Sequence, residues 1–201
     1  MNSSNNGTGR GVIHLVRHAK SAYVHHKRWM DVAAVDKFEA DYNAAGIRDD
    51  SVPSAELIEI ASGAEVIAAS DMVRAILSAK RLVPSREPDV SPLLREISID
   101  PPRWFPASLP INTWDFYNFS MWSYRLWASA DHEEVRRAQG AADWLLERAT
   151  RPATVVAVTH GGFRRILDAQ LHARGWVRTP GALSYKNWST WSYTELRNGV
   201  R

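Results

Sequence analysis

Three short apolar runs along the chain predict buried strands. They are Val12–Arg17, Glu65–Ser70 and Thr154–His160, and each is bounded by polar or glycine residues. Runs of this kind are typical of strands that a parallel sheet buries on both faces. The last stretch of the chain, Trp188–Leu196, alternates between apolar and polar positions, and we expect it to form an edge strand.

Four other stretches carry apolar residues at helical spacing. They are Ser54–Ser62, Asp71–Val83, Asp131–Thr150 and Gly161–Arg174. Proline follows the second stretch and glycine follows the first and the fourth, as is usual beyond the end of a helix. Because strands and helices alternate, the sequence predicts an α/β sandwich built on a parallel sheet.

One segment breaks this alternation. Seven of the ten prolines lie in the range 84–110. Nine aromatic residues crowd into the overlapping range 104–127: Trp104, Phe105, Trp114, Phe116, Tyr117, Phe119, Trp122, Tyr124 and Trp127. The segment is too rich in proline for one helix and too aromatic for a solvated loop. We therefore expect a cap insertion at about residues 100–130 that packs over the edge of the sheet or over its pocket.

Length and composition limit the classes of protein that fit. A chain of 201 residues with 45% hydrophobic and 23% charged residues is typical of one globular domain. We place that domain at residues 12–201 and expect residues 1–11, which are polar and contain glycine, to form a flexible leader. The absence of cysteine excludes disulfides, thiolate metal sites and a cysteine nucleophile.

Charge and hydropathy exclude further partners. The 25 Lys and Arg residues exceed the 22 Asp and Glu residues by only three, which is weak evidence for nucleic acid binding. No apolar run approaches the roughly 18 residues that span a bilayer, so we expect no membrane contact. The default expectation is a cytoplasmic enzyme or binding protein, and the oligomeric state is left open.

Arginine and histidine cluster where the three apolar runs end. Arg17 and His18 end the first run, His160 ends the third, and Arg74 lies in the first turn after the second. Because ligands of parallel sheets bind beyond the carboxyl ends of the strands, these four side chains converge on one rim. The planar guanidinium of arginine binds phosphate oxygens in pairs and stays charged at any working pH.

The same rim offers a helix terminus and a nucleophile. The third run passes through Gly161 and Gly162 directly into a helix, which exposes backbone N–H groups to an anion. A neutral imidazole beside such groups can attack phosphorus. The residues together therefore predict a phosphoryl pocket, although each histidine taken singly is better explained as a buried core residue and each arginine as a surface residue.

Four motifs resemble those of the histidine phosphatase superfamily, in the branch that includes the phosphoglycerate mutases. In chain order they are LVRHAKS, SDMVRAILSA, LLREI and VTHGG. The resemblance extends from Val12 to the last strand, and the aromatic insertion is its least similar part. It implies a three-layer α/β/α sandwich and a reaction that passes through a phosphohistidine.

The resemblance also implies a role for each matching residue. His18 would be the nucleophile, Glu96 in LLREI would protonate the leaving group, and His160 would assist catalysis. The phosphoryl group would be held by Arg17, Arg74, His160, the hydroxyl of Ser21 and the backbone N–H of Gly162. No metal and no other cofactor is implied, because the arginines and histidines neutralise the phosphate charge.

Four features depart from the pattern of this branch, and one of them is Lys20, which stands where an acidic or amide residue is common. Ala19 replaces the glycine that usually follows the first histidine, so the backbone there must have a negative φ or be strained. Val24 replaces a phosphate-binding asparagine, and SIDPPRWFP replaces a glycine-containing segment after Glu96. These changes leave the core chemistry intact and leave the substrate open.

The tryptophans of the insertion allow two interpretations. The favoured one is a hydrophobic cap packed on itself and on the sheet. The other is an aromatic-walled pocket for an apolar phosphate ester, formed by Trp104, Trp114 and Trp122. The sequence thus favours a phosphomonoesterase that acts on a small, partly apolar phosphate ester. The alternatives are a phosphoglycerate-mutase-like phosphotransferase and a non-catalytic protein that binds a phosphate ligand.

Overall fold

A six-stranded sheet between two helical layers forms the centre of the molecule in the computed structural model. The structure describes residues 11–24, 29–99, 101–105, 107–127, 132–150, 153–181 and 183–196. The leader predicted for residues 1–11 lies outside this part of the chain except for its last residue. None of the described helices has the length and apolar character needed to cross a membrane.

The helices and strands follow one another along the chain. The strands are β1 (Val12–Arg17), β2 (Trp29–Met30), β3 (Val66–Ser70), β4 (Asp89–Ser91), β5 (Leu109–Pro110), β6 (Thr154–Thr159), β7 (Trp176–Arg178) and β8 (Thr190–Glu195). The helices are α1 (Val32–Ala44), α2 (Ala55–Ser62), α3 (Val73–Leu82), α4 (Ile111–Trp127), α5 (Glu133–Arg148) and α6 (Gly161–Ala173), and a 3-10 turn covers Pro92–Leu94.

The central sheet has the strand order β4-β3-β6-β1-β8-β7. The first four of these strands run parallel, and β8 and β7 are antiparallel to their neighbours. The three predicted buried strands are confirmed as β1, β3 and β6. The prediction that the last stretch forms an edge strand is wrong, because β8 lies between β1 and β7. The edge strand β7 has only three residues, too few to show a periodic pattern.

Both faces of β1, β3 and β6 are largely buried, as their continuous apolar runs predict. In β6, Val155 and Ala157 pack into the cluster under α5 and α6. Val156 and Val158 point the other way, into the cluster under α2 and α3. This alternation fixes the register of the sheet, because a slip by one residue would exchange the two sets of side chains.

The four predicted helices are confirmed as α2, α3, α5 and α6, with ends that shift by at most two residues. Ser54 caps α2 by accepting a hydrogen bond from the backbone N–H of Leu57 at 3.2 Å. His132 is the N-cap of α5, and the predicted start at Asp131 lies outside the described residues. The helix α1 has no counterpart in the prediction, because Val35 is its only fully buried residue.

The aromatic insertion is more regular than its composition suggests. From residue 111 onward it forms one helix of 17 residues, α4, because all the prolines of the segment precede it. The two-residue strands β2 and β5 pair beside it. Met30, Val35 and Trp114 form a small core that joins α4 to α1. This cap core is separate from the two clusters on the faces of the sheet.

Candidate active site

The structure brings together the four basic residues at the carboxyl ends of the parallel strands. Arg17 is the last residue of β1 and His18 follows it. His160 follows β6 and forms the N-cap of α6. Arg74 is the second residue of α3, which follows β3 after two residues. Because β1, β6 and β3 are neighbours in the sheet, their ends place these side chains side by side.

His18 has the geometry of a nitrogen nucleophile. Its ring is 1% exposed, and its Nδ1 lies 2.6 Å from the carbonyl oxygen of Ala19. A carbonyl only accepts, so Nδ1 carries the hydrogen and Nε2 keeps its lone pair. Nε2 accepts a hydrogen bond from Nε of Arg74 at 3.3 Å. Burial, followed by the positive charge of Arg74, lowers the pKa of His18 to about 3, so the ring is neutral at physiological pH.

His160 lies against His18, with 5.0 Å between the ring centroids. It is completely buried, and neither of its ring nitrogens has a hydrogen-bond partner among the described residues. Burial is the main cause that lowers its pKa well below the usual value, and the charges of Arg74 and Arg17 add to it. Buried polar atoms without a partner are rare in proteins, and here they lie next to the proposed nucleophile.

The guanidinium of Arg74 is held from three sides. Its Nη1 donates to the side-chain oxygen of Asn43 at 3.0 Å and its Nη2 contacts the sulfur of Met72 at 3.1 Å. The Tyr42 ring lies 4.4 Å below the guanidinium carbon. Arg17 donates from Nη1 to the backbone oxygen of Tyr185, and its buried Nε has no partner among the described residues. Nε of Arg74 is directed at His18, and both arginines line the cavity described below.

Arg164 is a site residue that the sequence analysis missed. It is completely buried in α6, and it donates to the backbone oxygens of Leu15 at 3.3 Å and Ser189 at 2.7 Å. Its guanidinium stacks 4.4 Å from the Trp191 ring. Burial, followed by the charge of Arg17, lowers its pKa to about 10. A signal was present, because Arg164 lies three residues before Leu167 and so on the apolar side of the predicted helix.

Glu96 is bound to the first turn of α6. Its Oε1 accepts from the backbone N–H of Phe163 at 2.7 Å and of Ile97 at 3.1 Å, and its Oε2 accepts from Gly162 at 3.2 Å. The N–H of Gly162, which the resemblance assigns to phosphate, thus donates to Glu96 in this structure. A Cβ at Gly162 would lie 2.9 Å from Cδ1 of Ile97 and 3.0 Å from Oε1 of Glu96, so a larger residue there would force one of these side chains to shift.

Two residues that follow His18 closely in the sequence, Ser21 and Ala19, take part in local hydrogen bonds. The hydroxyl of Ser21 accepts from the backbone N–H of Tyr23 at 3.1 Å and does not line the cavity beside the site. Ala19 is not among the described residues with positive φ, which are Trp188 and Gly175. Its N–H donates to the hydroxyl of Ser78 in α3 at 2.8 Å. The alanine therefore adopts the negative φ that the sequence requires of it.

A cavity of about 600 Å³ lies in front of the two arginines. Neither histidine ring lines it, and His18 is connected to it through the contact of Nε2 with Arg74. Its wall combines predicted and unpredicted residues: Arg17, Arg74, Glu96, Gly161, Gly162, Trp122, Phe38, Glu39, Tyr42, Asn43, Ile97, Ile99, Asp115, Asn118, Phe119, Arg165, Ile166 and Tyr185. Within the described part of the chain, no three His, Asp or Glu side chains form a group able to hold a metal ion.

The three tryptophans proposed for a substrate pocket lie in different places. Trp104 is 80% exposed and is not part of the cavity wall. Trp114 is 1% exposed, and its indole N–H donates to the backbone oxygen of Met30 at 2.9 Å. Trp122 lines the cavity and packs edge-on against His132. Trp114 thus fits the interpretation of a cap packed on itself, and Trp122 fits that of an aromatic wall.

Helix α1 supplies a wall that the sequence analysis did not include. Phe38, Glu39 and Tyr42 project from it into the cavity lining. Burial raises the pKa of Glu39, and hydrogen bonds from the Ser98 side chain and the Ile99 backbone partly offset this effect. No local motif marks these residues, because VDKFEADYN is typical of a solvated helix.

Comparison with known proteins identifies the fold. No protein-family model matches the chain. No curated protein matches it either. Among solved structures, a phosphoserine phosphatase variant from Entamoeba histolytica with bound phosphoserine is similar, with 11% identity, a TM-score of 0.52 and coverage of 90% of this chain and 89% of that chain. Phosphoserine phosphatase from the same organism with 3-phosphoglyceric acid gives 12% identity, a TM-score of 0.51 and the same coverage, 90% and 89%.

A mycobacterial glucosyl-3-phosphoglycerate phosphatase in complex with VO3 is also similar, with 19% identity, a TM-score of 0.47 and coverage of 81% of this chain and 82% of that chain. The two structures with TM-scores above 0.5 are both phosphoserine phosphatases. The chain therefore has the fold of these two proteins, and the α/β/α sandwich predicted from the sequence is confirmed.

Proposed function

We propose that this protein is a phosphomonoesterase that acts through a phosphohistidine at His18. The observation that carries the proposal is the state of that ring, which is neutral, buried and oriented with the Nε2 lone pair toward the guanidinium of Arg74. Such a nitrogen attacks phosphorus well only if positive charge beside it stabilises the phosphoryl oxygens. Arg17, Arg74 and Arg164 supply that charge.

The reaction proceeds in two transfers. The phosphoryl oxygens bind Arg17 and Arg74, and Nε of Arg74 turns from His18 to an oxygen of the substrate. Nε2 of His18 then bonds to phosphorus as the ester P–O bond breaks in line with it. A cavity carboxyl group, which the sequence predicts to be Glu96, protonates the departing oxygen. Water next attacks phospho-His18 and releases inorganic phosphate.

The proposed reaction requires no metal ion. A phosphate monoester carries close to two negative charges at neutral pH, and catalysis of its transfer is mainly positioning and charge stabilisation. Three guanidinium groups at the cavity wall, those of Arg17, Arg74 and Arg165, and the buried one of Arg164 behind them match that charge. Addition of a chelator is therefore expected to leave the rate unchanged.

The substrate is a small phosphate ester with a partly apolar alcohol. A cavity of about 600 Å³ is in the usual range for small-molecule sites. Its aromatic wall, made by Phe38, Tyr42, Phe119 and Trp122, suits an apolar group, and its two asparagines suit a hydrogen-bonding one. Phosphoserine and 3-phosphoglycerate, which the similar structures contain, are the first natural compounds to screen.

The test is hydrolysis of p-nitrophenyl phosphate in the presence of EDTA. Wild-type protein should be active, and His18→Ala should lose activity completely. The matched control is His14→Ala in β1, because the His14 ring bonds the hydroxyl of Ser192 in β8 at 2.8 Å, whereas the His18 ring contacts Arg74. An alkaline quench during turnover should trap a phosphoenzyme in the wild type and not in His18→Ala.

Two results would contradict the proposal. If His18→Ala retains the wild-type rate, the nucleophile is another group. If folded wild-type protein binds phosphate but hydrolyses none of the esters, the chain is a binding protein or a strict phosphotransferase. A transfer assay with a second alcohol then separates these two alternatives.

A further inference from the structure

Two glutamates share the cavity in front of the arginines. Glu96 follows the 3-10 turn, and Glu39 projects from α1. The Glu39 carboxyl accepts hydrogen bonds from the Ser98 side chain and the Ile99 backbone, two and three residues beyond Glu96. Both carboxyl groups are thus attached to the same short segment, and each interacts electrostatically with Arg74.

Both oxygens of the Glu96 carboxyl group accept hydrogen bonds from backbone N–H groups. Three N–H groups donate to it, two from the first turn of α6 and one from Ile97. A proton donor must turn an O–H toward the departing oxygen, whereas both oxygens of Glu96 are engaged as acceptors of these backbone groups. This arrangement fixes the start of α6, which carries His160 as its N-cap.

Glu39 has the environment that proton donation requires. It is half-buried in the cavity wall, and the charged groups that act on it are Asp36 on its own helix, Glu96 and Arg74. Burial, and then the negative charges of Asp36 and Glu96, raise its pKa above that of an ordinary glutamate. A general acid works best when its pKa is raised in this direction, toward the operating pH.

We infer that Glu39 protonates the departing oxygen of the substrate and that Glu96 is a positioning residue for the start of α6. The inference rests on the proposed function. As Nε2 of His18 bonds to phosphorus, the electron pair of the P–O bond passes to the ester oxygen, which takes the proton of Glu39 and leaves as an alcohol. The Glu39 carboxylate then accepts a proton from the water that attacks phospho-His18, which restores the acid.

The choice of leaving group tests this assignment. p-Nitrophenolate departs without a proton, whereas an alkoxide needs one. For Glu39→Gln we expect kcat/KM with glycerol phosphate to fall by about 100-fold or more, and kcat/KM with p-nitrophenyl phosphate to stay within about threefold of wild type. Glu96→Gln should lower both values by a similar factor, because it disturbs α6 rather than proton transfer.

Asp41→Asn is the matched control, two residues from Glu39 on the same helix. Asp41 is exposed and pairs with Lys37, and it does not line the cavity, so both rates should remain at the wild-type level. Circular dichroism and the affinity for inorganic phosphate establish that each variant is folded with an intact anion site. The ratio of the two rates in each variant is then the measured quantity.

Three outcomes would overturn the inference. One is a selective loss of glycerol phosphate hydrolysis in Glu96→Gln and not in Glu39→Gln. Another is an equal loss with both substrates in Glu39→Gln, which would indicate a structural role. The third is a wild-type protein inactive on both substrates, which would refute the proposed function itself and is distinguishable from the first two.

Discussion

Mild acid should destabilise this protein through its buried imidazoles. The His18 ring is neutral in the folded protein because burial and the neighbouring arginines lower its pKa to about 3. In the unfolded chain the same ring titrates near its ordinary pKa of about 6.5. Below pH 6.5 the unfolded state therefore binds a proton that the folded state does not, and folding becomes less favourable as the pH falls toward 3.

The size of the effect follows from the two pKa values. Between pH 7 and pH 5, proton binding to His18 in the unfolded chain lowers the free energy of unfolding by roughly 2 kcal/mol. His160 acts in the same direction, because its pKa is also lowered by burial. The contribution of His18 is a substantial part of the about 5–15 kcal/mol that holds a typical domain folded.

Urea denaturation at the two pH values measures this contribution. His18→Gln removes the titrating ring and keeps a polar side chain. When the pH is lowered from 7 to 5, the free energy of unfolding of this variant should therefore decrease less than that of the wild type, by a difference of roughly 2 kcal/mol. The matched control is His172→Gln, because His172 is partly exposed near the end of α6 and away from the cavity wall. We expect the control to lose as much stability on acidification as the wild type does.

The reasoning would be refuted by parallel behaviour of wild type and His18→Gln. Equal losses of unfolding free energy between pH 7 and pH 5 would mean that the His18 ring takes up its proton equally well in both states. The ring would then have to be exposed to water, contrary to its burial in the structure.

Other substitutions have consequences of their own. Arg74→Ala removes a charged hydrogen bond to the phosphoryl group, so kcat/KM should fall by about 10- to 100-fold or more in steady-state assays. Gly162→Ala places a Cβ 2.9 Å from Cδ1 of Ile97, so thermal unfolding should show a loss of about 1–3 kcal/mol together with reduced activity. Trp114→Ala leaves a hole in the cap core and should cost about 3–5 kcal/mol in urea denaturation, with KM unchanged. Trp122→Ala should raise KM for aryl phosphates more than for alkyl phosphates, because only Trp122 of this pair lines the cavity.

The strands that bear the site were predictable because their burial is nearly complete. β1 matches its prediction to the residue, and β3 and β6 differ by one residue at one end. A strand buried on both faces must be apolar throughout, and such a run is visible in the sequence. β4 and β7 have three residues each, so no period could reveal them.

The phosphate side of the site was predictable for a different reason. Arg17, His18, Arg74 and His160 all lie within four residues of a strand end, so the sheet topology alone brings them together. Glu39 comes from a helix outside the predicted alternation of strands and helices, and its place in the cavity depends on tertiary packing. The part of the cavity wall that α1 supplies is therefore the part that sequence reasoning missed.

The three arginines also bear on the lifetime of the protein when no ligand is present. Arg17, Arg74 and Arg164 repel one another across a region that contains neutral histidine rings, and the carboxyl groups of Glu39 and Glu96 balance only part of this charge. A bound dianion relieves the repulsion, so occupancy of the site stabilises the fold in proportion to the logarithm of ligand concentration. The empty protein should thus be the form most easily cleaved by proteases.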